Sequence, residues 1–326
     1  MPPLVLFQMQ RFSRVEYAAL PGRSVAWIVR REGVTATILP SDGEAISASA
    51  ERMIAQRTDS RSFGVAAADL YARIIAPLRP RIASARVVVF VADPTWSRFP
   101  FAALFDPATG HFLCEDIDVA TAPSASRFTS ALLAAGRPRV PERVLVCADP
   151  DAGDAPRLIA ARREGDLIGR TFAGAAVISG NAATRDDFVA RAPFATLIHF
   201  AGHARNDARN DDFSALLFSG DGRSGSGALY AWEVRKLHLS HTRLVVLSAC
   251  GTDAISDAFL AAGAAATIAT LWDVGDAHSG ALMSRMYRRL HDGDSPSHAL
   301  RAAQLAVLHA PGSRPVDWAG FELVGL

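Results

Sequence analysis

The chain has 326 residues, half of them apolar, and carries 34 basic against 33 acidic side chains. That length supports a core burying about three quarters of the unfolded chain's surface without help from metals or disulfides, and the balanced charge excludes the basic footprint of a nucleic-acid binder. No stretch approaches the roughly 18 apolar residues of a membrane span, and Met1-Pro-Pro-Leu-Val-Leu-Phe-Gln8 lacks the basic region and apolar core of a signal peptide, so a cytoplasmic location with neither membrane nor nucleic acid as partner is expected.

The first 140 residues open with a hairpin pattern, residues 25–29 and 34–39 around a Glu32-Gly33 turn. Helical patterns over 47–57 and 65–75 follow, then a β-rich run at 86–91, the segment Arg98-Phe-Pro-Phe-Ala-Ala-Leu104, a hairpin-like stretch at 111–120 and Ala122-Pro-Ser-Ala-Ser126. Residues 138–141, with Pro at both ends and Arg137 and Arg139 beside them, read as a linker between a unit at 1–140 and one at 141–326.

Beyond the linker, short apolar runs at 144–148, 175–178, 196–201, 216–219, 244–248, 266–271 and 321–324 alternate with helical patterns at 155–171, 184–191, 228–236, 253–262, 276–291 and 295–309. Such alternation predicts a mostly parallel sheet covered by helices. Asp276 and Ser295-Pro296 are start signals for the last two helices, and Asp292-Gly293-Asp294 separates them.

Three cysteines, Cys114, Cys147 and Cys250, form no disulfide framework and no zinc-type spacing, so no metal or other cofactor is expected. Cys147 lies inside an apolar run and Cys114 precedes Glu115-Asp116, which disfavours a thiolate; both read as structural. Cys250 differs: it ends Leu244-Val-Val-Leu-Ser-Ala-Cys-Gly251, and His203 ends Leu197-Ile-His-Phe-Ala-Gly-His203. Open parallel sheets present reactive groups at the carboxyl ends of strands, and a thiol becomes a good nucleophile only beside a base or a positive field. The two residues are 47 apart, close to the spacing of about 50 between the His and the Ala-Cys of caspases. They form a candidate cysteine protease dyad, with Cys250 as nucleophile and His203 as base and then acid.

With these segments the chain resembles the CHAT family, caspase-like cysteine peptidases of the caspase, separase and gingipain group that are often joined to tetratricopeptide repeats. The blocks that carry the resemblance run in order: Val15-Glu-Tyr17 with Ala26-Trp27, Phe99-Pro-Phe-Ala-Ala-Leu104, Ala122-Pro-Ser-Ala-Ser126, Ile198-His-Phe-Ala-Gly-His203, Leu244-Val-Val-Leu-Ser-Ala-Cys-Gly-Thr252, Ala258-Phe-Leu-Ala-Ala-Gly263, Ala269-Thr-Leu-Trp-Asp-Val274 and Trp318-Ala-Gly-Phe-Glu-Leu-Val-Gly325. The resemblance implies a three-layer αβα sandwich with a mostly parallel central sheet, in which residues 141–326 are the catalytic part and residues 1–140 a smaller α+β, pseudo-caspase-like part. It implies an endopeptidase acting on a protein partner, with tetrahedral oxyanions held by the Gly202 and Cys250 amides, and a place in bacterial defence or cell death. Ala204 and Asp253 replace glycines usual in the family, and the segment after Cys250 is short, which leaves substrate choice less legible than chemistry. No repeat module precedes the domain, so an activating or regulatory protein, itself repeat-containing, is an expected partner.

Substrate-pocket candidates are Asp257, Trp272, Asp273 and Asp276, whose acidity favours Arg or Lys before the scissile bond; the bland alternative makes Trp272 a core residue, Asp273 solvated and Asp276 a helix cap. His199, two residues before His203, reads as a core or supporting histidine. Two other function classes fit the sequence less well. A caspase-like scaffold with little turnover would not need both Cys250 and His203, and a nucleotide-binding protein would need more than the glycine-rich 220–227, which has no Lys-Ser/Thr ending.

Overall fold

A computed structural model of the chain describes residues 12–96, 98–135, 142–207, 209–220, 227–249, 251–272, 274 and 276–326, with backbone alone at 133–135 and 276–278. The expected linker at 138–141 lies outside the described residues, as do Cys250, Asp273 and most of the glycine-rich 220–227.

Eleven strands form one central sheet: β1 (Phe12–Leu20), β2 (Arg23–Arg30), β3 (Gly33–Leu39), β4 (Val87–Val91), β5 (Asp118–Thr121), β6 (Val144–Pro150), β7 (Ala176–Gly180), β8 (Leu197–Ala201), β9 (Leu244–Ser248), β10 (Ala266–Thr270) and β11 (Phe321–Gly325). Their spatial order is β3-β2-β1-β4-β5-β11-β10-β9-β8-β6-β7. Pairing is antiparallel in β1/β2, β2/β3 and β10/β11 and parallel elsewhere. The mixed α/β architecture with a large, mostly parallel sheet is therefore the one expected. The hairpin around Glu32-Gly33 is β2/β3, and the block pairing Val15-Glu-Tyr17 with Ala26-Trp27 is real, with Glu16 opposite Trp27 and Tyr17 opposite Ala26.

The main helices are α1 (Gly43–Ala55), α2 (Ser60–Ile74), α3 (Ala125–Ala135), α4 (Ile159–Thr171), α5 (Arg185–Arg191), α6 (Asp253–Ala261), α7 (Asp276–His291) and α8 (Pro296–Leu308). The start signal read at Ser295 is a true cap, its hydroxyl accepting from the His298 amide of α8, and the Thr184 hydroxyl does the same for the Asp187 amide of α5, filling orphan donors of both helices. Strands β6 and β8 to β10 are buried on both faces, so they are near-continuous apolar runs rather than alternating ones. Val146, Leu197, Leu244 and Val246 face one core with Ile168 of α4 and Leu282 and Met286 of α7. Leu145, Cys147, Ile198, Phe200, Val245 and Leu247 face a second core with Phe188 of α5 and Ile255, Ala258 and Phe259 of α6.

Three local expectations are corrected. Residues 111–120 are not a hairpin: a two-residue strand and a single helical turn, Leu113–Asp116, lead into β5, which is an interior strand buried on its flanks. Residues 228–236 are not one helix, since Ala228–Tyr230 is a strand and only Ala231–Val234 is helical. That strand pairs with Ala215–Leu217, which pairs with Ala204–Arg205, so the run at 216–219 belongs to a small separate sheet rather than to the central one.

Candidate active site

The dyad segments sit at the carboxyl ends of neighbouring parallel strands. In the β8/β9 register His199 lies opposite Val246 and Ala201 opposite Ser248, so position 203 follows one member of the last matched pair by two residues and position 250 follows the other by two. His203 is half-buried, and its Nε2 lies 2.7 Å from the Pro156 carbonyl oxygen. A carbonyl only accepts, so Nε2 carries the proton and Nδ1 keeps its lone pair: the ring is held in the tautomer of a general base at Nδ1. Cys250 lies outside the described residues.

What presents Pro156 is a strained residue at the end of β6. Asp149 is the irregularity at which the β6/β7 register shifts, and it has a left-handed φ of 49°. Its carboxylate accepts from Arg157 Nη2 at 2.6 Å and from the Leu158 amide at 2.8 Å, which ties down the segment around Pro156. Burial alone would raise the Asp149 carboxyl, but the Arg157 guanidinium and the Leu158 amide outweigh it and hold it below the usual carboxylate range.

The segments flanking residue 250 are equally fixed. The Ala249 carbonyl accepts from the Thr270 hydroxyl at 3.0 Å. Gly251 has a φ of +60°, a turn that leads straight into α6 and that a side chain would strain. Gly202 is needed for a different reason: a Cβ there would lie 2.9 Å from Phe200 Cζ and 3.0 Å from Pro150 Cδ. The Gly202 amide points at the Ser248 carbonyl over a long 3.4 Å.

Of the four pocket candidates only Trp272 and Asp257 have described side chains, and these two lie in different surroundings. Trp272 is buried in the core, its Nε1–H donating to the Val316 carbonyl at 3.1 Å and its ring against Gly320. Asp276 heads α7, with its side chain outside the described residues. Asp257 joins instead a group that sequence reasoning missed: Asp253 and Asp257 of α6 and Glu322 of β11 surround Arg98. Arg98 Nη1 is 3.2 Å from Asp253 Oδ1 and Nη2 is 4.0 Å from Glu322 Oε2. Asp257 still reaches solvent, yet its carboxyl is raised, first by partial desolvation and then by Asp253 and Asp211, against the pull of Arg98 and Arg127. Burial likewise pushes Glu322 up, partly offset by Arg98. Arg98 stands just before Phe99-Pro100-Phe101 in sequence, and nothing in that motif announced that its guanidinium would reach α6.

The other two cysteines are inert. Burial, and then Glu115, push the Cys114 thiol up to about 12; Cys147, fully buried, is pushed higher still. Among the described residues no helix is long and apolar enough to cross a membrane.

The family model for the CHAT domain matches residues 65–326. The chain belongs to the CHAT domain family. Solved structures agree at the level of fold: gingipain R, described as an Arg-specific cysteine proteinase, superposes with a TM-score of 0.53 at 12% identity over 85% of this chain and 69% of that one. The separase of Saccharomyces cerevisiae, in complex with securin, gives 0.59 at 10% identity over 99% of this chain and 30% of that one. A curated human relative, tetratricopeptide repeat protein 28, is 39% identical over 80 residues, 24% of this chain and 3% of its own length. The CHAT chain thus spans a small part of that relative and under a third of the separase. What it shares with gingipain R and the separase is the fold.

Proposed function

We propose that this CHAT domain is a cysteine endopeptidase that cleaves a protein partner with a Cys250–His203 dyad. The supporting observation is the fixed tautomer of His203: the Nε2–H to Pro156 bond leaves Nδ1 as a base two residues beyond the end of β8, beside the strand that leads to Cys250. His203 takes the thiol proton, the thiolate attacks the scissile carbonyl, and the same proton goes to the leaving amine; water then hydrolyses the thioester with His203 as base. The Cys250 amide and the Gly202 amide, the latter released from its long contact to Ser248, are assigned to the oxyanion. Cys250→Ala and His203→Ala should each abolish peptide cleavage while leaving thermal unfolding unchanged, and the double variant should lose no more than either single one. A folded Cys250→Ala protein cleaving at the native rate removes the assignment.

The acidic residues near the nucleophile segment support a basic residue before the scissile bond, the preference named for gingipain R. Peptide-library profiling should enrich Arg or Lys at that position; enrichment of Asp or Leu sinks the acidic pocket and leaves the dyad untouched. A protease of this kind needs restraint, and a human relative named for tetratricopeptide repeats supports a repeat-bearing protein as activator, in the setting of a defence or cell-death response. The isolated chain should then turn over weakly and gain rate with the partner. Full turnover without a partner removes that part of the reading. The alternative, a caspase-like scaffold, predicts that no thiol probe labels Cys250.

A further inference from the structure

We infer that Glu164 is a positioning residue for the nucleophile segment, acting through Ser248; this role rests on the cysteine peptidase reading above. Glu164 sits on α4, 6% exposed, in the layer between that helix and the sheet. Among the described residues its charged neighbour within ion-pair distance is His199, and no Arg or Lys pairs with it. A buried carboxylate in such a place is costly unless donors satisfy it, and an apolar side chain would serve the core better.

Its donors form a chain. The Tyr287 hydroxyl of α7 lies 2.7 Å from His199 Nδ1. Burial, and then the charge of Glu164, push the Tyr287 pKa well up, so the phenol keeps its proton; the Glu164 oxygen facing the other ring nitrogen can only accept, which sets that nitrogen as the protonated one and the phenol as donor to Nδ1. The ring proton of His199 is then on Nε2, which faces Glu164 Oε1 at 3.2 Å without good hydrogen-bond alignment. The second oxygen, Oε2, accepts from the Ser248 hydroxyl at 3.2 Å. Close approach of the helix makes this reach possible: at Gly165, the next residue, a Cβ would lie 2.5 Å from Ala148 Cβ of β6.

The chain ends where the chemistry begins. Ser248 is the last residue of β9, directly before Ala249, whose carbonyl the Thr270 hydroxyl holds from the neighbouring strand. Glu164 therefore pins the segment leading to Cys250 from α4, while Pro156, just before α4, pins His203. One helix and its lead-in register both halves of the dyad, and a displacement of about 1 Å in such a pair costs on the order of 100-fold in rate.

The test uses the full chain, the peptide selected by library profiling, and chloroacetamide alkylation read by mass spectrometry at Cys250, with buried Cys114 and Cys147 as internal references. Glu164→Gln and Ser248→Ala should each lower kcat by roughly 10- to 100-fold with KM within about twofold, and each should slow Cys250 alkylation. Glu164→Gln/Ser248→Ala should be no worse than the weaker single variant, because the two residues act as one link, and Ser248→Thr, which keeps the hydroxyl, should restore the wild-type values. A folded Glu164→Gln protein with native kcat and native alkylation overturns the inference, as do losses that multiply in the double variant. If Glu164→Gln fails to fold, the Ser248→Ala and Ser248→Thr pair decides: equal, native behaviour of the two overturns it. Wild-type protein without Cys250-dependent cleavage would remove the peptidase reading instead, and the alkylation rates would then decide the role of Glu164 on the same criteria.

Discussion

Asp149 shows how a strained residue is kept where a site needs it. A left-handed aspartate costs on the order of 1 kcal/mol or more, which the bonds to Arg157 and Leu158 offset. Its carboxyl is lowered in the folded state, so its contribution is fully present above the unfolded pKa of about 3.9 and fades as pH falls through the lower folded value. Asp149→Asn should therefore destabilise the protein at pH 7, with the gap to wild type closing only as pH falls through the lowered folded value, as read by thermal unfolding; loosening Pro156, it should also slow cleavage. Arg98 behaves with the opposite sign. Without it, Asp257 and Glu322, already raised, lose their counter-charge, and a raised carboxyl gives stability that is lost as pH rises. Arg98→Met should cost about 1 kcal/mol at pH 7, since the pair with Asp253 is partly solvated, and less at pH 5; an equal loss at both pH values contradicts the cluster. Of these residues, His203 stood out in the sequence because it ends an apolar run directly after a glycine. Asp149, Glu164 and Arg98 did not, because their work depends on partners brought together from distant segments.

At the scale of elements, β9 was read to its last residue and α7 to both ends, since each is bounded by residues with one local meaning: Ser248 and Ala249 for the strand, Asp276 and Asp292-Gly293 for the helix. β1 entered only through the Val15-Glu-Tyr17 block and not from its own pattern, because Phe12–Leu20 alternates polar and apolar residues with no glycine before it, and β5 was lost inside an apparent hairpin because only four residues mark it. The segment after Gly227 reads as helix from Glu233 and Lys236, while tertiary pairing makes its first residues a strand. The turn between β8 and His203 is as tightly specified as either strand. Gly202→Ala would drive a methyl group into Phe200 and Pro150, both held by the core, and overpacking of that kind costs about 1–3 kcal/mol. Calorimetry should find the melting temperature lowered by several degrees, with cleavage impaired as β8 shifts; an unchanged melt would mean that the Pro150 contact yields freely.

For the whole molecule, parallel order among β6 to β10 was legible from alternation of apolar and amphipathic runs, but the joining of two regions into one sheet was not. No local pattern says that β11 inserts between β5 and β10, antiparallel to one and parallel to the other. Packing decides it: the Thr121 hydroxyl donates to the Leu323 carbonyl at 3.3 Å across 202 residues of sequence, and the Gln304 amide of α8 donates to the carbonyls of Trp318 and Phe321.

The placement of β11 sets an order of events during synthesis. Every other strand of the sheet has left the ribosome before residues 321–325 are made, and until they arrive β5 and β10 have no neighbour between them. Chain emerging at 5–20 residues per second leaves each region to collapse alone for seconds, with two open edges that invite pairing with other molecules. The nascent chain is therefore most exposed to chaperones and to aggregation at the moment when its dyad residues are already present. A sheet closed by the latest-made of its described strands keeps two edges open until residues 321–325 are free to pair, so synthesis, more than the finished fold, is where the chain meets unwanted partners.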